Sequence, residues 1–311
     1  MAGVELVKVK NIDDGMRLNR WFLKYYPGLS LSRLQKLLRT KQIKVDGKRV
    51  EAGTKLQMGQ EVRVPPLEKE AEMALIEKRG VSARDSAYIQ SLIIYKDEQI
   101  IVLNKPSGLA VQGGTNTNRH VDGMLDALQF DKEEKPRLVH RIDKDTSGIL
   151  VLARNRQTAD ILTKAFREHM ILKTYLALTK GCPKQSSGEI KANLEKVGEK
   201  SIVSSDGKPA VTTYKVWDNV GDKFALISAS PLTGRTHQIR AHLESINCPI
   251  VGDDKYFGSE RNRFENLSNK LHLHAYKIDL SAIYNKNMVI KAFLPEYFKE
   301  DISNLGMQFK E

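Results

Sequence analysis

Cysteine is nearly absent from this 311-residue chain. The two that occur, Cys182 and Cys248, form no CxxC pair. That excludes a disulfide scaffold and a cysteine-built structural zinc site, and it fits a reducing compartment such as the cytoplasm. Long apolar runs are missing too. No stretch approaches the roughly 20 apolar residues that span a bilayer. The opening MAGVELVKVKNIDDG has acids at positions 5, 13 and 14, so neither a secretion signal nor a membrane partner is expected. There is no internal repeat and no low-complexity tract. Neither GxGxxG nor GxxxxGK[ST] occurs, so a nucleotide-cradling loop has no support. With 41% hydrophobic residues the chain can build packed cores, and its length suggests about two domains.

Acidic residues are scarce in one place above all. The net charge is +12, and the window from Asn19 to Val50 carries nine basic residues against Asp46 alone, or +8 of that total. Such a concentration suits a module that binds a polyanion. The same window is readable as structure. Met16, Leu18, Trp21, Phe22 and Tyr25 recur at helical spacing, and Pro27-Gly28 breaks the chain. Ser30 or Ser32 can cap a second helix with Leu34, Leu37 and Leu38 facing inward. Arg33, Lys36 and Arg39 then share an exposed face. QIKVDGKRV predicts a hairpin that turns at Asp46-Gly47 and returns through Val50. Val62 and Val64 predict a last strand, stopped by Pro65-Pro66. Residues 67–89 read as a charged linker. Beyond it, strand-like runs (QIIVLNKP, GILVLARN, LKTYLALT, FALISAS) and two helical segments (ADILTKAFREH, THQIRAHLESI) predict an α+β domain over residues 90–300 with a mixed, mainly antiparallel sheet.

Three segments carry chemistry. RLVHRIDKDTSGILVLARN places a polar burst between apolar runs, at a strand end or loop. Cations around Asp143 and Asp145 favour an ionised, nucleophilic carboxylate, and Gly148 permits a positive φ. The plainer reading is a turn whose Asp and Ser side chains bond local backbone. In SPLTGRTHQIRAH, Thr233 or Thr236 can cap a helix that buries Ile239, Leu243 and Ile246 and presents His237 and Arg240 together. In KTYLAL, Lys173 and Tyr175 share one strand face.

GMRLNRWF, SLSRLQKLLRTKQIKVDGKRV and KLQMGQEVRV resemble the S4 RNA-binding domain over residues 12–66, with Lys41 where that family often has glycine. VLNKPSGLAVQGG, the HRIDKDTSG run from His140 to Gly148, KTYLA, TGRTHQIRAH, LHLHAYKI and KAFLPEYF resemble, in order, the RluA family of RNA pseudouridine synthases. Their wording is most like its RluC branch, which modifies large-subunit (23S) ribosomal RNA. The resemblance implies an isomerase that needs no cofactor and no metal. It implies Asp143 as nucleophile, Arg240 (or else Arg235) as its cationic partner and Tyr175 stacked on a flipped uracil. His140 and Arg141 would replace the extruded base or hold phosphates, with Arg235, Arg33, Lys36 and Arg39 as further RNA contacts. No protein partner is implied, and a monomer is expected.

Three other readings compete. Asp143-Lys144-Asp145 supplies the DxD of a Mg²⁺-dependent phosphatase, with Gly252-Asp253-Asp254 as its later acids. That chemistry wants a long buried parallel strand before the aspartate. His237, His242, His272 and His274 could hold zinc, although no HExxH accompanies them. A non-catalytic RNA-binding or ribosome assembly factor is the third.

Overall fold

The computed structural model describes residues 4–26, 29, 31–67, 81–113, 119–257 and 264–309. Pro27, Gly28, Ser30 and the Ser32 side chain fall outside that description, and so does most of the expected linker. The chain forms two compact units, Met1–Ser82 and Ala83–Glu311.

The first unit packs two helices, α1 (Leu18–Tyr25) and α2 (Leu31–Arg39), on a three-stranded antiparallel sheet. Its strands are β1 (Glu5–Lys8), β2 (Lys44–Val45) and β3 (Glu61–Val64), in the order β1-β3-β2. Leu18, Trp21, Phe22, Leu34, Leu38, Ile43, Leu56 and Val62 fill one core. Each such side chain contributes roughly 1.5–3 kcal/mol by leaving water. Arg33, Lys36 and Arg39 stay exposed on the outer face of α2, the side opposite Leu34 and Leu38.

The hairpin expectation needs correction. Asp46 and Gly47 both take positive φ, 49° and 71°, as a tight primed turn requires, but only one bridge, Val45 to Lys48, follows it. Val50 joins no strand, and the partner of β2 is β3. The end of α2 shows why glycine suits position 41. Lys41 N–H bonds Leu38 O (3.1 Å) and Gln42 N–H bonds Leu37 O (2.9 Å), a Schellman ending that forces Lys41 to φ 60°.

The second unit is built on an eleven-stranded sheet. Its strands are β4 (Ile93–Lys96), β5 (Ile100–Lys105), β6 (Arg137–Leu138), β7 (Ser147–Ala153), β8 (Leu172–Lys180), β9 (Ser187–Val197), β10 (Lys200–Val203), β11 (Lys208–Val220), β12 (Phe224–Pro231), β13 (Leu273–Asp279) and β14 (Val289–Lys291). The main order is β10-β9-β11-β12-β8-β13-β7-β5-β4, with β14 beside β13 and β6 beside β7. Every pairing is antiparallel except β13 with β7, so the sheet is mixed and mainly antiparallel. All seven residues of β7 are buried, as a continuous apolar run on a central strand demands. Helices α3 (Ala83–Ser91), α4 (Arg156–Arg167), α5 (Gln238–Ser245), α6 (Ser281–Tyr284) and α7 (Glu296–Asn304) flank the sheet.

The expected boundaries also shift. β1 begins before residue 12 because its ladder with β3 completes the first sheet. α3 occupies part of the expected linker but belongs to the second unit, where it buries Ile89. The second unit passes residue 300, since Ile302 and Met307 fill its core.

Candidate active site

Asp143 stands on the loop between β6 and β7, at the mouth of a cavity of about 260 Å³. Ile142, Thr146, Lys173, Tyr175, Arg235 and His237 line the same cavity with it, as do Arg141 and Arg240. The loop is held from several sides. Gly148 takes φ +104°, and a Cβ there would lie 2.3 Å from Ala275 O, so only glycine lets β7 meet β13 at this point. Lys105 is fully buried and donates to the carbonyls of Pro106 (2.9 Å), Leu109 (2.8 Å) and Lys144 (2.8 Å). Gly108 N–H also bonds Lys144 O at 3.0 Å, and Ser107 Oγ donates to Asp145 O at 2.8 Å. The segment after β5 thus clamps the backbone next to Asp143. Burial pushes the Lys105 ammonium down to about 7, against the opposing charges of Asp145 and Asp143.

Arg240, on α5, is the cation that faces Asp143. Its Nη1 lies 3.5 Å from Asp143 Oδ2. Its fork is committed elsewhere: Nε and Nη2 each donate to a carboxylate oxygen of Asp253 at 2.7 Å. Burial would lower the Arg240 pKa, but the bonds and charge of Asp253, then Asp143, hold it up. The guanidinium also lies over Tyr256, 5.1 Å from the ring centroid. Asp253 follows Gly252, whose φ of +77° and absent Cβ allow the turn to pass Lys270 O. Arg235 is exposed on the cavity rim, with Nε on Pro209 O at 3.2 Å. Of the two arginines, Arg240 is therefore the one against the carboxylate. α5 begins only at Gln238, and neither Thr233 nor Thr236 caps it; Thr233 Oγ1 bonds Gln238 Oε1 instead.

Tyr175 and Lys173 both reach the cavity from β8. Burial, then the Asp143 charge, push the Tyr175 phenol far above its ordinary pKa, so it keeps its proton at neutral pH. Arg141 is exposed at the cavity edge. His140 is a correction. Val151 N–H donates to its Nε2 at 2.9 Å, and its ring stacks on Phe166 with centroids 4.2 Å apart. Burial, then the charge of Lys173, push its pKa down to about 3. It is a neutral strut that joins the loop to β7, and so brings no positive charge to a phosphate.

The competing constellations come apart. His272 bonds Asp301 (2.8 Å), His274 bonds Ser147 (2.9 Å) and His242 bonds Thr212 (2.9 Å), so these histidines each serve packing elsewhere. Asp143 follows a two-residue strand antiparallel to β7, not a long parallel one, and Asp253 is engaged with Arg240. Four site roles escaped the sequence reading of the chemistry: Asp253 as the partner of Arg240, His237 as a neighbour of Asp143, Lys105 and Tyr256. His237 had a signal, its i,i+3 spacing from Arg240, and Asp253 was weighed as a metal-binding acid instead.

Comparison with known proteins gives the family of the chain. A family model described as RNA pseudouridylate synthase matches residues 99–245. The ribosomal large subunit pseudouridine synthase C of Rickettsia felis is 36% identical over 301 residues, covering 93% of this chain and 97% of its own length. The protein of the same description from Vibrio vulnificus is 37% identical over 284 residues, 88% of each chain. Among solved structures, human RNA Pseudouridylate Synthase Domain Containing 4 is similar with a TM-score of 0.62 and 28% identity, over 73% of this chain and 99% of its own. The chain belongs to the RluA family of RNA pseudouridine synthases. Within that family it matches the RluC branch.

Proposed function

We propose that this enzyme converts uridines of 23S ribosomal RNA to pseudouridine, with Asp143 as nucleophile. The reaction breaks the N1–C1′ bond, turns the base and joins C5 to C1′. One proton leaves C5 and one is gained at N1, so there is no net redox change. The observation that carries the reading is the Asp143 carboxylate on a cavity of about 260 Å³, 3.5 Å from a buried arginine. The names of the relatives support the ribosomal substrate.

Arg240 sets a positive charge 3.5 Å from the Asp143 carboxylate in a partly water-excluded site. Its lock on Asp253 fixes the guanidinium before substrate arrives, so no reorganisation is needed during reaction. Tyr175 stacks on the uracil once the base has left the RNA stack. Its raised pKa suits a platform better than a ready base. Arg141 and Arg235 on the rim meet phosphates beside the flipped nucleotide, and Arg33, Lys36 and Arg39 of the first unit, an S4-type module, add sequence-independent grip. The enzyme acts in the cytoplasm, a reading supported by the scarcity of cysteine.

The test maps pseudouridine in a 23S transcript after incubation with wild type, Asp143→Asn and Asp145→Asn. Asp143→Asn keeps shape and removes the charge, so it should bind RNA within a few-fold and form no product. Asp145→Asn should stay active. Product from the first variant at the wild-type rate refutes the assignment.

A further inference from the structure

His237 lines the cavity, yet none of the roles above uses it. Its backbone is left-handed, φ 49° and ψ 26°, immediately before α5. That conformation costs a non-glycine residue on the order of 1 kcal/mol, and no side-chain cap bond compensates. The conformation does aim the ring. Nε2 lies 3.7 Å from Asp143 Oδ2, and Nδ1 lies 3.2 Å from Tyr256 Oη. The tyrosine hydroxyl is fixed from its far side: Ser201 N–H donates to it at 2.8 Å, and Ser201 O lies 3.0 Å away.

One hydroxyl proton serves two acceptors, and its choice sets the tautomer of His237. If Tyr256 donates to Ser201 O, Nδ1 must carry the imidazole proton, and a bare Nε2 lone pair faces the carboxylate. If Tyr256 donates to Nδ1, Nε2–H points at Asp143 Oδ2. Only the second arrangement is attractive on both sides of the ring. Other charged groups around the ring are Asp253 and Glu199 on one side of the balance and Arg240 and Lys255 on the other. Burial, with Arg240 and Lys255, outweighs Asp143 and Asp253 and keeps the ring below its ordinary pKa, so at neutral pH it holds a single proton.

We propose that His237 is a positioning residue: held by Tyr256 in the Nε2–H tautomer, it donates to Asp143 Oδ2 and, with Arg240 on the same oxygen, turns Oδ1 toward the substrate. The proposal rests on the reading of Asp143 as nucleophile. The 3.7 Å separation closes by less than 1 Å on substrate binding, as active-site bonds often do.

The test compares His237→Ala, His237→Gln, His237→Asn and Tyr256→Phe in the full chain, with Asp143→Asn in parallel. Each is assayed for kcat and KM on a 23S transcript, RNA affinity and thermal midpoint. A Gln amide nitrogen can occupy the place of Nε2, whereas an Asn amide reaches only that of Nδ1. His237→Ala should lower kcat by roughly 10- to 100-fold with KM within about 3-fold. His237→Gln should recover most of that loss and His237→Asn little of it, while Tyr256→Phe should lose several-fold in kcat. Asn tolerates the left-handed region better than Gln does, so a folded, slow His237→Asn cannot be blamed on the backbone. Wild-type kcat in His237→Ala beside a dead Asp143→Asn overturns the proposal alone. Equal activity in the Gln and Asn variants overturns it too. An active Asp143→Asn overturns the nucleophile reading beneath it.

Discussion

Arg240→Ala is the perturbation whose cost the structure fixes best. Asp253 is fully buried in its side chain, and two of its strongest bonds come from Arg240 at 2.7 Å. Removing the guanidinium leaves the carboxylate with the backbone N–H groups of Lys255 (3.1 Å) and Tyr256 (3.2 Å), both on Oδ1. Breaking a buried pair from one side costs about 3–5 kcal/mol. The two remaining donors place this case at the lower end, about 3–4 kcal/mol. With a urea dependence of about 2 kcal/mol per molar, the unfolding midpoint should fall by roughly 1.5–2 M. Urea titration followed by circular dichroism reads this directly. The double variant Arg240→Ala/Asp253→Ala removes the stranded charge as well, so it should be more stable than Arg240→Ala. Activity separates the two roles of the arginine. Arg240→Ala should lose roughly 100-fold or more in kcat, and Arg240→Lys should recover only part, because an ammonium cannot make the fork. A midpoint shift below 0.5 M (about 1 kcal/mol), or a double variant no more stable than the single, would refute the argument that Asp253 is buried as a carboxylate paired by Arg240.

Three further outcomes follow from the geometry. Lys41→Gly should stabilise the first unit by about 0.5–1 kcal/mol, since glycine takes φ 60° without strain; a lower urea midpoint would contradict it. His274 is fully buried, and burial pushes its pKa down to about 4 from an ordinary 6.5. The unfolded chain therefore binds this proton first, and its contribution, about 3 kcal/mol at most, is complete above pH 6.5 and lost as pH falls toward 4; His274→Gln should flatten that part of the stability-against-pH curve, and an unchanged slope would count against the assignment. Finally, Lys36→Gln/Arg39→Gln should reduce the log–log salt slope of RNA affinity by about 1–2 if both side chains neutralise phosphates; filter binding at several salt concentrations measures it, and an unchanged slope would make these side chains merely solvated.

Elements whose residues are apolar on a regular period were legible before the structure. β5, β7, β8 and β12 lie where continuous apolar runs put them, because central strands bury both faces. β9, β10 and β11 were not foreseen. In β9 only Ile190 and Leu194 are buried among eleven residues, so the alternation that marks a half-buried strand is faint. The Asp46-Gly47 turn was legible and its return strand was not, because β3 outcompeted residues 48–50 for β2, a choice made by tertiary packing. The site divides in the same way. Asp143, Tyr175 and Arg240 stood out through motif wording, whereas Asp253 was read as an acid of a rival motif and its pairing with Arg240 is visible only once α5 and the Gly252 turn meet. His140 was expected, from the resemblance, to replace the extruded base or hold phosphates, while its environment makes it an acceptor for Val151 N–H.

The site's construction explains why its supporting residues are scattered. The proposed nucleophile stands on a loop, and that role needs the loop to be as rigid as a strand, since a misplacement of about 1 Å can cost a hundredfold in rate. Here the loop is fixed at three levels. Lys105 ties its carbonyl backbone to the end of β5, His140 ties its beginning to β7, and the Gly148 contact seats its end on β13. Arg240 fixes the carboxylate itself, and Asp253 fixes Arg240. The ties through Lys105, Arg240 and Asp253 are made by buried polar side chains with partners from another element, so removing one of these side chains leaves an unsatisfied group as well as a looser loop. Stability and catalysis are thus coupled through the same bonds. Substitutions at Lys105 or Asp253 should therefore be read with unfolding and turnover measured together, since a loss of rate alone would not distinguish a loosened loop from a missing reactant.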